Sequence, residues 1–248
     1  MPLKIYTLRE RPQLEDEFHR FATAGWPRFL VQRDELGVGR YWPELYTRFA
    51  DFQFYLFDGD KVVGIGHTVP FAWDGTPAGL PESTAAILEN AVAAHREGRR
   101  PTAVSALAAI TAGHEGRGYS SEILRGMQAL THQHGLRDLV APVRPTMKAR
   151  YPLAPMERYV RWTRSDGAPL DPWIRVHWRL GGEIVRVAPR TLVIVGTVAQ
   201  WEEWTEMAFP DSGPYVVPGA LQPVVIDLER DEGRYEDPNV WMHHPMAT

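Results

Sequence analysis

The segment AITAGHEGRGYSSEILRGM, from Ala109 to Met127, limits the fold more than any other part of the chain. It closes a small-apolar run, TAVSALAAIT, of the kind that forms a strand covered on both faces. The run breaks over Gly116 and Gly118, after which Ile123, Leu124, Met127 and Leu130 fall at helical spacing up to a stop at His134-Gly135. A further apolar run, LVAPV, comes next. Strand, glycine turn, helix and strand make one βαβ unit, whose crossover helix sets its two strands side by side in parallel. The expected class is α/β, in the α+β sense of a mixed sheet flanked by helices.

Other segments add to this frame. KIYTL alternates as a short strand, and Leu14, Phe18 and Phe21 then fall at helical spacing. QRDELGVGRYWPELYTRFAD mixes helical spacing with Gly and Pro and reads as a looser helical region. FQFYLF and KVVGIGHTVPF meet at Asp58-Gly59-Asp60, a hairpin signal. ESTAAILENAVAAHREG is a helix with Ser83 or Thr84 to cap it and Gly98 to end it. Further on, DPWIRVHWRLGG is a helix opened by Asp171-Pro172. EIVRV and TLVIVG then read as paired strands, and TVAQWEEWTEM as a short amphipathic helix. Residues 208–248, rich in Pro, Gly and acids, hold one strand-like piece, PVVID; they are expected as a C-terminal extension packing on a domain formed by residues 1–207.

Composition removes whole classes of function. With 248 residues the chain can bury a full core. Its net charge of −4 gives no overall basic field, so no nucleic-acid partner is expected. Cysteine is absent, which excludes disulfides, thiolate metal sites and a cysteine nucleophile. His132, His134, His243 and His244 have no carboxylates at ligand spacing, so no metal is expected. The opening residues KIYTLRERPQLEDE are too charged for a signal peptide, and no apolar run approaches the ~18 residues of a membrane span. A cytoplasmic location without a membrane partner is the expectation.

The turn itself has chemistry to offer. Helix N-termini present unpaired N–H groups and the positive end of the helix dipole, and glycines let an anion approach them. In EGRGYSS the amides of Arg117 through Ser121 would face such an anion, with Arg117 adding charge. The phosphate loop that needs Lys and Ser or Thr after its last glycine is excluded, because Tyr119 follows Gly118. A dinucleotide site is excluded too, for want of a third glycine and a distal acid. Taken alone, the turn serves equally as a tight connection.

The run resembles the signature Q/R-x-x-G-x-G/A of the GNAT superfamily of acyl-CoA-dependent N-acyltransferases, which Glu115-Gly116-Arg117-Gly118-Tyr119-Ser120 occupies after AAIT. The order of elements across residues 3–207 is similar as well. Glu115 stands in place of the usual Gln or Arg, and Ser120 in place of a second small residue. The resemblance implies a central twisted mixed sheet whose fourth and fifth strands splay apart. It implies acetyl-CoA or another acyl-CoA as co-substrate, with pantetheine along Ala109, Ile110 and Thr111. The pyrophosphate would lie on the turn formed by Glu115, Gly116, Arg117, Gly118, Tyr119, Ser120 and Ser121. The implied reaction is acyl transfer, acetyl above all, to a small-molecule amine that attacks the thioester directly.

Such a reaction needs a route for the proton of the amine and a donor for the leaving thiolate. Members of the family often carry a Glu on the fourth strand, and TAVSALAAIT has no carboxylate. His67, in register with Val63, Ile65 and Val69, is one substitute; a hydrogen-bonded core histidine fits the same position. The thiolate donor of the family, a Tyr four residues before a helix-ending glycine, maps onto His177, with Tyr151 and Tyr159 as the alternatives. The insert between LVAPV and this helix is cationic, through Arg144, Lys148, Arg150, Arg158, Arg161 and Arg164. Such a cluster suits the phosphates of CoA or an anionic acceptor. A non-catalytic acyl-CoA or ligand-binding protein, or an enzyme fed by an acyl carrier protein, would share these features, and a homodimer stays open.

Overall fold

The protein is seen in a computed structural model that describes residues 3–22, 26–111 and 116–246. Its elements are β1 Lys4–Thr7, α1 Glu15–Ala22, α2 Val38–Tyr41, α3 Glu44–Thr47, β2 Gln53–Asp58, β3 Lys61–Phe71, α4 Thr84–Arg96, β4 Ala103–Ile110 and α5 Tyr119–Gln133. There follow β5 Asp138–Val143, α6 Met156–Tyr159, α7 Pro172–Arg179, β6 Glu183–Gly196, α8 Val198–Thr205, β7 Gly213–Tyr215, β8 Val224–Asp227 and β9 Glu232–Pro245. Among the described residues the strands form one mixed sheet in the order β1-β2-β3-β4-β5-β9-β8-β7, with β6 on the other side of β9. β4 and β5 are the parallel pair. This is the mixed α/β architecture expected from the βαβ segment. No helix among the described residues is long and apolar enough to cross a membrane.

Local chemistry accounts for the element boundaries. Asp58 faces Lys61 across Gly59-Asp60, and Gly59 takes the φ of 61° that a tight hairpin asks for. Ser83 Oγ caps α4 by accepting from the Ala86 amide at 3.1 Å. Asp171 caps α7 through the amides of Trp173 and Ile174, with Pro172 in the first turn. Thr197 and Gln200 close a reciprocal capping box on α8.

One expectation about the C-terminal third is corrected. EIVRV and TLVIVG are one strand, β6, whose register against β9 shifts between Ala188 and Leu192. Within residues 208–246, β9 is inside the sheet, bonded to β5 through 240–245 and to β6 on its other side. Proline argues against a central strand, since it lacks the ladder N–H. Here Pro238 falls opposite the β6 irregularity and in the gap where β8 has ended and β5 has not begun. Its missing donor therefore costs no ladder bond.

The sheet carries a core on each face. Val104, Ala106, Leu139, Ala141, Val143, Val240 and Met242 pack under α5 and α7. Val69, Phe71, Ala103, Val140 and Trp241 pack under α4, while Tyr55, Ile65 and Ile110 pack with Phe18 of α1. Val63 joins the α5 side, because the β2–β3 register shifts at Leu56 and Phe57 and breaks its alternation with Ile65, His67 and Val69.

Candidate functional site

The site begins with a fork in the sheet. β4 and β5 pair only at Val104 with Leu139 and at Ser105 with Val140. Beyond that point Ala106–Ile110 stay with β3, while Ala141–Val143 stay with β9, so the strands part. Leu107 is an extra residue in β4, between the pairs Thr68–Ala106 and His67–Ala108, and such a bulge bends the strand away from its neighbour. The edge of β4 from Ala106 to Ile110 thus has no strand on its β5 side among the described residues. Ala109 and Ile110 lie along that edge, paired with Gly66 and Ile65 of β3, and Thr111 continues it.

The glycine turn comes next among the described residues. Gly116 and Gly118 both take φ of 79°, a left-handed conformation that only glycine adopts without strain. Gly118 is the N-cap of α5, and no side chain caps the helix. Ser121 and Glu122 donate their amides to the Gly118 carbonyl, which makes these the first amides of α5 bonded within the helix, and the Ser120 amide precedes them. Gly116, Arg117 and Gly118 are exposed, and Glu115 lies outside the described residues. Tyr119 is buried, and its hydroxyl donates to Asp58 Oδ2 at 2.6 Å, tying the start of α5 to the β2–β3 hairpin. Gly64 completes the approach: a Cβ there would stand 2.9 Å from the Ile110 carbonyl oxygen and 2.8 Å from Ile123 Cδ1.

The insert forms one wall of the fork and divides its cations between two jobs. Arg144 donates from Nε to both carboxylate oxygens of buried Asp237, at 3.0 and 3.1 Å, and from a terminal nitrogen to Gly219 O. Lys148 is buried against the carbonyls of Tyr151 and Leu221, and burial lowers its pKa to about 8. These two groups hold the insert to the chain after β7. Arg150, Arg158 and Arg161 are exposed, and Arg158 and Arg161 line a shallow depression of about 440 Å³ with Pro155, Glu157 and Trp162. Tyr159 donates to Asp171 at 2.8 Å, so the carboxylate that caps α7 also pins the insert.

The side chains singled out for proton transfer lie apart. His67 is on the α1–α4 side of the sheet, next to the β4 bulge. It is buried, and desolvation lowers its pKa to about 3. His177 is on the opposite side, buried under Trp173, with Nδ1 2.9 Å from His244 Nε2. Burial, and then the His244 charge, keep it well below the ordinary histidine value. Tyr151 is 40 % exposed and rests edge-on against Trp162.

Several features of this site carried no sequence signal. Gln53 faces His67 across β2 and β3, a pairing that depends on strand register. Five buried side-chain atoms bond nothing among the described residues: Tyr55 OH, His67 Nε2, Ser105 Oγ, His177 Nε2 and Asn239 Oδ1. Tyr55, His67 and Ser105 all belong to β2–β4, beside the fork.

A forked mixed sheet with an uncapped helix turn at the mouth of the fork is the frame of a GNAT-like protein. The loading GNATL domain of CurA from Lyngbya majuscula has this fold, with a TM-score of 0.59 and 15 % identity over 99 % of this chain and 98 % of that one. A GphF GNAT-like decarboxylase, solved with isobutyryl-CoA, gives a TM-score of 0.57 and 15 % identity over 100 % of both chains. No family model matches the sequence. An arginine N-acetyltransferase, avaD of Aspergillus versicolor, is 31 % identical over 252 residues, spanning 89 % of this chain and 85 % of that protein. The chain belongs to the GNAT superfamily of acyl-CoA N-acyltransferases, and it is an acyltransferase acting on amines.

Proposed function

We propose that the protein transfers an acyl group, acetyl in the first instance, from CoA to the amine of a small molecule by direct attack on the thioester. The observation that supports this reading is the β4 edge, which has no strand on its β5 side beyond Ser105 among the described residues, followed in the chain by an α5 N-terminus with no side-chain cap. A pantetheine arm laid along Ala109, Ile110 and Thr111 takes the place of a strand, with its amides bonded to the β4 edge. Its pyrophosphate then meets the amides at Gly118 to Ser120, with Gly116 and Arg117 at its flank. The thioester reaches the closing point of the fork, between Ser105 and Leu107. The depression at Arg158 and Arg161 supplies cations for the remaining phosphate of CoA.

In the reaction the neutral amine nitrogen bonds to the thioester carbon, the carbon–sulfur bond breaks, and CoA leaves as the thiolate. An alkylammonium has a pKa of about 10.4, so reaching the neutral amine near pH 7 costs about 4 to 5 kcal/mol. His67, held near pKa 3, is a weak base and a good hydrogen-bond acceptor. Its role is to orient the acceptor while the proton leaves through solvent at the mouth. The hydroxyl of Tyr151, accessible at the insert, is better placed to protonate the thiolate than the sealed His177. An amino acid of the arginine type is the first acceptor to offer, given the named activity of the relative.

The test is release of free CoA thiol from acetyl-CoA with a panel of small amines, read with product mass. Amine-dependent release with an acetylated product of added mass supports the proposal. CoA binding without release for any amine would leave only a binding protein.

A further inference from the structure

Beside the fork, on the α1 side, lies a closed aromatic box with an unanswered lone pair inside it. The His67 ring centroid is 4.8 Å from Phe18, 5.3 Å from Trp42 and 5.8 Å from Tyr46. Tyr55 joins the group through Phe18, at 4.5 Å. The amide group of Gln53 settles which nitrogen of His67 bears the proton. Gln53 Nε2 donates to the carbonyls of Phe49 and Thr68, at 2.9 and 2.8 Å, so its Oε1 is the atom 3.0 Å from His67 Nδ1. Nδ1 must then donate, and Nε2 is a bare acceptor. Both Nε2 and the Tyr55 hydroxyl are buried with no partner among the described residues. Buried polar atoms nearly always have a partner, and two such atoms among the same rings mark the place of one that arrives with a ligand.

The electrostatics define that ligand. Ring faces carry the negative part of the aromatic quadrupole and attract cations. The ionic charges acting on the phenols of this box are carboxylates of α1, Glu15 on Tyr46 and both Glu15 and Glu17 on Tyr55. Lone pairs, ring faces and carboxylates all favour a positive group rich in N–H donors.

We infer that the box formed by Phe18, Trp42, Tyr46, Tyr55 and His67 is the subsite for a guanidinium group of the acceptor, remote from the amine that is acylated. The inference rests on the proposal that the acceptor is a small-molecule amine. A guanidinium is planar and weakly hydrated, and it offers a fork of N–H donors, so it can stack on a ring while donating to Nε2 and to the Tyr55 oxygen. The position agrees: His67 pairs with Ala108, one strand away from the bulge where the thioester would stop. The box is shut in this structure, and its outer lip is Trp42 and Tyr46, joined by a hydrogen bond of 3.0 Å. Both are half-buried, Trp42 as the C-cap of α2, whose N-cap is Gly37, and Tyr46 within α3. Outward movement of that lip opens the box from the solvent side. The cations of the insert are then left for CoA, and the acceptor is cationic in place of anionic.

The experiment compares arginine with citrulline, its neutral ureido counterpart bearing the same α-amine, by steady-state transfer from acetyl-CoA. The wild type is expected to show a KM for arginine lower by about 30-fold or more, as desolvated cation–π contacts and donor pairing allow. Trp42→Leu is expected to remove most of the difference by raising the arginine KM alone, and Trp42→Phe to keep most of it. Equal KM values in the wild type, or a preference that survives in a folded Trp42→Leu variant, overturn the inference while leaving the acyltransferase proposal intact. Absence of transfer to every amine overturns that proposal and this inference with it.

Discussion

His67 Nδ1 stands 3.0 Å from Gln53 Oε1, and this cross-strand contact places the proton on Nδ1, so that in the ring that burial keeps neutral the lone pair is on Nε2. Gln53 does so while satisfying the carbonyls of Phe49 and Thr68. Gln53→Leu removes three bonds and leaves buried polar atoms unpaired, at about 1 to 3 kcal/mol for each atom that water cannot reach. We expect urea unfolding to show a loss of about 2 to 5 kcal/mol, with unchanged slope. A loss under half a kilocalorie would mean that the network is not formed.

Acid stability follows from the buried histidines. Burial lowers His67 to about 3 and His244 to about 4, and holds His177 well below its ordinary value. The unfolded chain binds protons at these rings near pH 6.5, and the folded chain does not. Their contribution is therefore complete above about pH 6.5 and is lost as pH falls toward 4. Each ring adds a slope approaching 1.4 kcal/mol per pH unit, to order of magnitude about the value set by one proton. Urea unfolding between pH 4.5 and pH 7, values chosen to span about that window, should give a flatter profile for His244→Gln than for the wild type. Parallel profiles would contradict the burial of His244 as a neutral ring.

Asp237 is buried with Arg144 as its ionic partner and the Tyr235 hydroxyl at 2.6 Å. Arg144→Met strands that carboxylate, and breaking such a pair costs about 3 to 5 kcal/mol. Arg161→Met, at an exposed position of the same insert, should change stability by less than about 0.5 kcal/mol. Thermal and urea unfolding of the two variants check the contrast, and similar losses in both would remove Arg144 from its structural role.

Arg158 and Arg161 predict a different readout. The double variant Arg158→Ala with Arg161→Ala should raise the KM for acetyl-CoA about 5- to 20-fold, with kcat nearly unchanged, as loss of charge-assisted phosphate contacts implies. Acetyl-dephospho-CoA should be affected less. An equal effect on both donors would move the third phosphate elsewhere.

What the sequence made legible was local. The glycine turn, the Asp58-Gly59 hairpin and the caps at Ser83 and Asp171 are short-range chemistry, and each appears where the residues suggest. β9 was hidden because EGRYEDPNVWMHHP is polar at its start and interrupted by Pro238, and its place in the sheet depends on strands far away in the chain. The Gln53–His67 pair was hidden for the same reason: a register shift at Leu56 and Phe57 separates it from simple counting. Arg144 and Lys148 looked like members of one cationic patch, and only the folded chain shows carbonyls and Asp237 taking them out of it.

The central claim is that CoA lies on the turn at Gly118. Gly118 is exposed, and nothing stands within 4 Å of a Cβ placed there, so a larger side chain perturbs the turn and not the core. Titration of CoA into the wild type and into Gly118→Glu, with folding of both checked by thermal unfolding, is the most direct measurement. A carboxylate at the mouth of the cradle and a strained left-handed backbone should weaken binding by about 30-fold or more and abolish acetyl transfer in proportion. Equal affinity for CoA in the two proteins would contradict the account.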